Sequence, residues 1–167
     1  VHDDAAVIDE GGDVLRLETI DFFRSFWADP YLLGEIAARH AMNDIFAMGG
    51  RPIRALANMM LPYGKPARMQ EDLFQMLAGA RAAFDAENVV LAGGHSSEGA
   101  ETAVGFAVAG EVPRASILRK GGLRPGDKLV LTRPIGSGGL LAALMQTKAK
   151  AREVSAMLET MPRSNPP

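Results

Sequence analysis

The sequence of 167 residues contains no cysteine, which excludes disulfides, thiolate zinc sites and a cysteine nucleophile within it. Aromatic residues make up only 6% of it. No apolar run approaches the roughly 20 residues needed to cross a bilayer. No charge sign dominates, because 18 basic residues face 20 acidic ones and leave a formal net charge of −2. We therefore expect no nucleic-acid partner and no membrane partner, and a soluble, cytoplasmic protein.

The remaining composition is that of a globular domain, with 47% hydrophobic and 23% charged residues. The sequence opens with VHDDAAV, without an initiator methionine, and closes with MPRSNPP, a linker-like composition. From these ends we expect a segment of a longer protein.

Hydrophobic patterning predicts a mixed α/β chain of the α+β class. Strands and helices do not alternate strictly, which disfavours a doubly wound parallel sheet. The best-marked helix starts at the N-cap signal Asp29-Pro30 and stops at Gly49-Gly50. The predicted elements are, in chain order, strands at 5–8 and 14–20, a helix at 30–48, a strand at 51–61, a helix at 66–86, strands at 89–92, 101–112 and 128–132, and a helix at 139–161.

Aspartates follow or precede several of these elements. Asp3 and Asp4 precede the first strand, Asp21 follows the second, and Asp44 lies in the apolar-faced part of a helix. A buried aspartate is costly unless it is paired or binds a cation, and Mg²⁺ prefers such oxygen ligands. The alternative is that these residues cap turns or face water. His40 and Asp44 are four residues apart, a spacing that permits a metal pair, but a solvent-facing hydrogen-bonded pair is the simpler interpretation.

The stretch VVLAGGHSSEG at 89–99 ends a strand in small polar residues. A serine nucleophile elbow is disfavoured, because Glu98 stands where that motif needs its last glycine. A loop whose exposed amides bind phosphate oxygens is the favoured alternative, and a plain turn remains open. The sequence contains no Walker A motif, and GSGGLL at 136–141 has Leu141 where a dinucleotide-binding loop has its third glycine.

The sequence contains the stretches DDAAV at 3–7, TIDFF at 19–23, DPYLLGEIAARHAMNDIFAMGGRPIRALA at 29–57, LAGGHS at 91–96 and GDKLVLTRPIGSG at 126–138. Together these five stretches resemble selenophosphate synthetase (selenide, water dikinase), of the superfamily that includes aminoimidazole ribonucleotide synthetase. They occur in the family's order and cover most of residues 1–140. GGHS and DFF separate this branch from relatives such as thiamine-monophosphate kinase.

The resemblance implies synthesis of selenophosphate from selenide, ATP and water, with release of AMP and orthophosphate. It implies the N-terminal domain of the aminoimidazole ribonucleotide synthetase-like fold, a mixed sheet with flanking helices. It also implies a homodimer with ATP between the subunits, in which two N-terminal domains complete one β-barrel. The expected division is an ATP-binding domain at 1–138 and the start of a C-terminal domain at 139–167.

By motif match, the resemblance implies two overlapping sets of site residues. The expected cofactor is Mg²⁺, with ATP as substrate. The Mg²⁺ ligands are Asp4, Asp21 and Asp44, and the ATP-binding residues are Val1, His2, Asp3, Thr19, Asp21, Asp44, Gly94, His95 and Ser96.

The resemblance also implies segments that this sequence does not contain. The family's catalytic cysteine or selenocysteine and a nearby lysine would precede Val1, and a further metal-binding aspartate would follow Pro167. We therefore expect no catalytic residue in this chain and no activity of the chain alone. His40 stands where the family has asparagine. The alternatives left open are another ATP-dependent small-molecule kinase of the superfamily and a non-catalytic nucleotide-binding or dimerisation module.

Overall fold

The structure is a computed structural model that describes residues 3–131 and 134–163. A five-stranded sheet and two long helices form its main body. A short 3-10 helix at Arg114–Ser116 follows the last strand. The strands are β1 (Ala6–Ile8), β2 (Val14–Arg24), β3 (Arg51–Pro62), β4 (Val90–Gly99) and β5 (Ala103–Pro113), and the helices are α1 (Pro30–Ala47), α2 (Pro66–Ala86), α3 (Ser137–Met145) and α4 (Ala151–Thr160).

The strand order across the sheet is β1-β2-β5-β3-β4. Only β3 and β4 run parallel, and the other neighbouring pairs are antiparallel. The sheet is therefore mixed, and the α+β class is confirmed. One row of the register, Asp21, Phe106, Ala57 and Gly94, crosses the four strands β2, β5, β3 and β4.

Helices α1 and α2 cover one face of the sheet, which we call the covered face. Strand alternation sends every second residue of β2, β3 and β5 to this face, where the side chains are buried. Phe106 of β5 meets Phe84 of α2 edge-to-face, with ring centroids 5.1 Å apart. The covered face and its helices thus form the hydrophobic core.

The two long helices cross with their backbones in close contact. A β-carbon at Gly34 would lie 2.0 Å from the carbonyl oxygen of Met76, and one at Gly79 would lie 1.9 Å from that of Tyr31. No side chain larger than hydrogen fits at either crossing point. Gly34 and Gly79 therefore allow the two helices to pack this closely.

The opposite face of the sheet, which we call the open face, has no helix over it in the described part of the chain. Its apolar side chains are exposed, including Ile20, Phe22, Leu56 and Val90. Small residues of β5, Gly105 and the alanines beside it, lie between them. The open face is therefore an apolar surface that the described residues leave exposed.

The predicted boundaries of α1 are confirmed. The Asp29 carboxylate accepts a hydrogen bond from the Leu32 N–H at 3.0 Å, and Pro30 occupies the first turn. Gly49 adopts a left-handed conformation with φ of 71°, and its N–H bonds the Phe46 carbonyl. The local signals at both ends of this helix were sufficient to place it.

Four element predictions are wrong in part. Strand β2 runs to Arg24, beyond the predicted end at 20, so Asp21 lies within the strand and does not follow it. Strand β4 runs to Gly99, beyond the predicted end at 92, because β3 continues beside it and supplies backbone partners. Residues 128–131 of the predicted strand at 128–132 are not in a strand, and their apolar side chains are exposed. The predicted helix at 139–161 is two helices, because Thr147 adopts a left-handed conformation (φ 56°) between them. Thr132 lies outside the described residues.

Among the described residues, no helix combines the length and the apolar character that crossing a membrane requires.

Candidate functional site

Four aspartates lie near one another where β2 meets α1, and we call Asp3, Asp4, Asp21 and Asp44 the acidic cluster. Asp21 continues the alternation of β2 that buries Leu15 and Leu17, so it lies on the covered face. Asp44 projects from α1 toward the same strand. The Thr19 hydroxyl donates a hydrogen bond of 2.6 Å to Asp44 Oδ2 and joins the two elements.

Burial and neighbouring negative charge dominate the environment of Asp44. Its half-buried position raises the pKa of the Asp44 carboxyl, and the nearby charges of Asp21 and Asp4 raise it further. The hydrogen bond from Thr19 and the proximity of His40 act in the opposite direction. Three carboxylates thus influence one another, which is the electrostatic condition that a bound cation would relieve.

His40 of α1 pairs with Asp21 of β2, in addition to any interaction with Asp44 on its own helix. Its Nδ1 lies 2.9 Å from Asp21 Oδ2. The imidazole also meets the Phe23 ring edge-to-face, with centroids 4.9 Å apart. These two contacts orient both the imidazole and the carboxylate of Asp21. The residue that stands where the resembled family has asparagine is therefore part of this site.

Two basic residues bind the N-terminal pair of aspartates. Arg119 Nη1 lies 2.7 Å from Asp3 Oδ2, and the backbone N–H of Lys120 donates to Asp3 Oδ1 at 3.1 Å. The Lys120 ammonium lies 2.6 Å from Asp4 Oδ1. Hydrogen bonds from Lys120 and Arg119 lower the pKa of Asp3. The sequence analysis missed both basic residues, because more than one hundred positions separate them from their partners.

The fit of a divalent cation follows from the chemistry of these donors. Within residues 3–131 and 134–163, no three carboxylate or imidazole groups are close enough to hold a metal ion by themselves. Mg²⁺ commonly takes one or two carboxylates and completes its octahedron with water and phosphate oxygens. Oxygen donors from Asp4, Asp21 and Asp44, with Lys120 already serving as a cation beside Asp4, suit such a shared site.

The second predicted group of site residues, Gly94, His95 and Ser96, lies on β4 at the edge of the sheet. The segment is a strand and not the predicted phosphate-binding loop. A β-bulge between Ala55 and Leu56 shifts its register just before these residues. An edge strand still presents unpaired backbone N–H groups to a ligand or partner.

A groove of about 320 Å³ runs between β4 and α2. Apolar side chains of α2, Leu73 and Leu77, line one wall, and residues 93–96 line the other. A β-carbon at Gly94 would lie 2.3 Å from the Ala57 carbonyl oxygen, so the pairing of β3 with β4 requires glycine there. The groove combines an apolar wall with backbone polar groups, which is typical of small-molecule sites.

The two groups of predicted residues do not meet within this chain. Asp21 and Gly94 occupy the same row of the sheet, separated by Phe106 and Ala57. Three strand spacings amount to about 14 Å. Thr19, Asp21 and Asp44 come together with Asp3 and Asp4, whereas Gly94, His95 and Ser96 form a separate edge. Val1 and His2 lie outside the described residues.

Sequence comparison finds similarity over nearly the whole chain to selenide, water dikinases. The enzyme of Desulfitobacterium hafniense strain Y51 is 39% identical over 163 residues, which are 98% of this chain and 47% of that protein. The enzyme of Yersinia pestis is 39% identical over 166 residues, 99% of this chain and 47% of that protein. The chain spans about half the length of the curated relatives it matches.

Comparison with solved structures shows the fold. Thiamine monophosphate kinase from Aquifex aeolicus superposes with a TM-score of 0.77 at 20% identity, over 96% of this chain and 55% of that one. Hydrogenase maturation protein HypE in complex with ATP gives a TM-score of 0.66 at 20% identity, over 87% of this chain and 44% of that one. The mixed sheet with flanking helices recurs in both.

The model of one protein family covers the part of the chain that contains α1, α2 and the sheet. This model, described as AIR synthase related protein, N-terminal domain, matches residues 2–112. The match confirms the predicted superfamily, and the named relatives confirm the predicted resemblance. This chain therefore belongs to the AIR synthase related proteins and carries their N-terminal domain.

Proposed function

We propose that this chain is the nucleotide- and Mg²⁺-binding portion of an enzyme that makes selenophosphate from selenide, ATP and water, with AMP and orthophosphate as the other products. The observation that carries the proposal is the half-buried Asp44, whose pKa is raised by burial and by the charges of Asp21 and Asp4. The 39% identity to selenide, water dikinases supports the choice of substrate.

In this proposal Asp4, Asp21 and Asp44 would serve as Mg²⁺ ligands, one or two at a time together with phosphate oxygens of ATP, and the ion would supply positive charge to those phosphates. Thr19 orients Asp44 through its 2.6 Å hydrogen bond, and residues 1–3 line the nucleotide site. Phosphoryl transfer depends more on neutralising and positioning the phosphates than on a protein nucleophile. The acidic cluster suits that role.

The separated residues Gly94, His95 and Ser96 fit a site shared between subunits. We propose a homodimer in which ATP lies at the subunit boundary and contacts β4 through its unpaired N–H groups. The exposed apolar side chains of the open face support a second copy as its cover. Two such faces would enclose one β-barrel.

The proposed division remains an ATP-binding domain at 1–138 and the start of a C-terminal domain at 139–167. Helices α3 and α4 fall in or at the edge of the second part. No catalytic residue is assigned to this chain. We expect it to bind the nucleotide without turning it over, and we expect a cytoplasmic location.

Calorimetric titration of the 167-residue chain with a non-hydrolysable ATP analogue tests the proposal. We expect the analogue to bind only in the presence of Mg²⁺. The Asp44→Asn substitution should weaken this binding at least about tenfold, because a charged metal ligand is lost. Asp85→Asn is the matched control, since Asp85 is an exposed aspartate of α2 paired with Arg81. No Mg²⁺-dependent binding by the wild-type chain, or equal binding by the Asp44→Asn variant, would contradict the proposal.

Two alternatives lead to different products. An ATP-dependent kinase of the thiamine-monophosphate type would release ADP, and its support here is a shared fold at 20% identity. A non-catalytic nucleotide-binding or dimerisation module would bind ATP in every context and release nothing. Product analysis of a longer protein that contains this chain, supplied with ATP and selenide, separates them from the proposed release of AMP.

A further inference from the structure

Lys120 occupies a place among the carboxylates that the proposed function does not explain. Its ammonium lies 2.6 Å from Asp4 Oδ1. The charges of Asp4, Asp44 and Asp3 all raise the pKa of this lysine. One side chain thus supplies positive charge to three members of the acidic cluster.

The chain on either side of Lys120 is anchored unequally. On the N-terminal side, the Leu118 N–H donates to the Met48 carbonyl at 3.0 Å, which ties the segment to the end of α1. On the C-terminal side follow Gly121 and Gly122, and nothing lies within 4 Å of a β-carbon built at either. Lys120 is therefore held close to the cluster but is followed by backbone with open space around it.

The ion pair itself is accessible to water. The side chains of Lys120 and Asp4 are 56% and 28% exposed. An exposed pair of this kind contributes little to stability, because solvent screens it and the long lysine side chain loses entropy when it is fixed. The ammonium can therefore leave Asp4 at small cost when a stronger cation arrives.

We propose that Lys120 is a built-in counter-cation that a divalent cation displaces from Asp4, and that the displaced ammonium then binds the phosphates held by that cation. This inference rests on the proposed function, since it takes Asp4 as a metal ligand. A divalent ion on the Asp4 carboxylate weakens the pairing of that carboxylate with an ammonium, because the two cations repel. Phosphate oxygens supply the new anionic partner.

Binding of Mn²⁺ alone, measured by electron paramagnetic resonance of the free ion, tests the first half. Lys120→Met removes the competing charge and keeps the apolar stem, so we expect about fivefold tighter binding than in wild type. Lys120→Arg should bind Mn²⁺ like wild type. Lys128→Met is the matched control, because Lys128 is an exposed lysine of the same segment and should leave the affinity unchanged.

Titration with the ATP analogue at saturating Mn²⁺ tests the second half. Here Lys120→Met should bind about tenfold more weakly than wild type, whereas Lys120→Arg should retain most of the affinity. Opposite effects of one variant on metal and nucleotide are not expected from a merely structural ion pair. Circular dichroism melting of each variant confirms that it is folded.

Two results overturn this inference while the proposed function stands. One is Mn²⁺ binding that depends on Asp44 but is unchanged or weakened in Lys120→Met, and the other is nucleotide binding that does not depend on Lys120. Failure of the wild-type chain to bind Mn²⁺ either alone or together with the ATP analogue overturns the proposed function together with the inference.

Discussion

The two faces of the same sheet differ in what completes them. On the covered face, Phe106 is fully buried beneath α2, whereas Phe22, on the adjacent strand and the opposite face, is 49% exposed. Both residues are phenylalanines in regular β-structure, so propensity does not distinguish them. The difference shows that the described residues cover one face of the sheet and leave the other exposed.

Thr19, Asp21 and Asp44 form a polar corner at the edge of the covered face. Among the described residues, it belongs to the one cluster of charged side chains to which we assign a metal. Thr19 and Asp21 follow the buried Leu15 and Leu17 along β2, and Asp44 meets them from α1. Among the described residues no polar or charged side chain is fully buried. The acidic cluster therefore lies where the core ends and water or ligand begins.

Replacing Phe106 or Phe22 by alanine should give the largest difference in stability between the two faces of the sheet. Phe106→Ala should lower the free energy of unfolding by about 3–5 kcal/mol, because it leaves a cavity against Phe84. Phe22→Ala should cost less than about 1 kcal/mol in the monomer. Urea denaturation at a concentration where the chain is monomeric measures both. Equal losses would show that the open face is packed within the monomer.

A charge on the open face tests whether a second copy covers it. Leu56→Glu should weaken dimerisation at least about a hundredfold, roughly 2.7 kcal/mol, because a carboxylate would be buried without a partner. Leu123→Glu is the control, since Leu123 is 70% exposed in the segment after β5. Analytical ultracentrifugation measures the constants. A monomeric wild-type chain, or a dimer insensitive to Leu56→Glu, would exclude the open face as the dimer interface.

Substitution of Gly34, where α1 and α2 cross, tests how closely these two helices must pack on the covered face. Gly34→Ala places a β-carbon against the Met76 backbone, and we expect a loss of about 1–3 kcal/mol. Gly139→Ala, in α3 where nothing lies within 4 Å, should be neutral or slightly stabilising. Thermal melting of the two variants compares them. If Gly34→Ala melts like wild type, the helices can separate without loss.

The smallest expected effect on stability comes from substituting Asp44 in the polar corner. Because the folded pKa of Asp44 is raised, its ionised form destabilises the fold at pH 7, and this cost disappears as the pH falls below 3.8. Asp44→Asn keeps an acceptor for Thr19 and should raise the Tm at pH 7 by at most about 4 °C, since solvent partly screens the carboxylate. At pH 3 the two melting curves should coincide. A lower Tm at pH 7 would mean that the ionised carboxylate stabilises the fold.

The sequence alone was sufficient to predict those helices and strands whose boundaries depend on a few adjacent residues. The Asp29-Pro30 start and the Gly49-Gly50 stop place α1, because capping depends on a few adjacent residues. The full extent of β4 was not predictable, since GGHSSEG has little strand propensity and is extended through its pairing with β3. The apolar residues Leu129, Val130 and Leu131 misled in the opposite direction: a short apolar run is typical of a strand, but these side chains are exposed.

The sequence by itself determined the family, the two core helices and the aspartates that could serve a cation, because motifs and periodicity are written in adjacent positions. Only the tertiary structure decided that Lys120 pairs with Asp4, that His40 turns to Asp21, and that Gly94 lies three strands from the acidic cluster. Contacts between residues far apart in the chain depend on strand order and helix packing, and no local pattern encodes these.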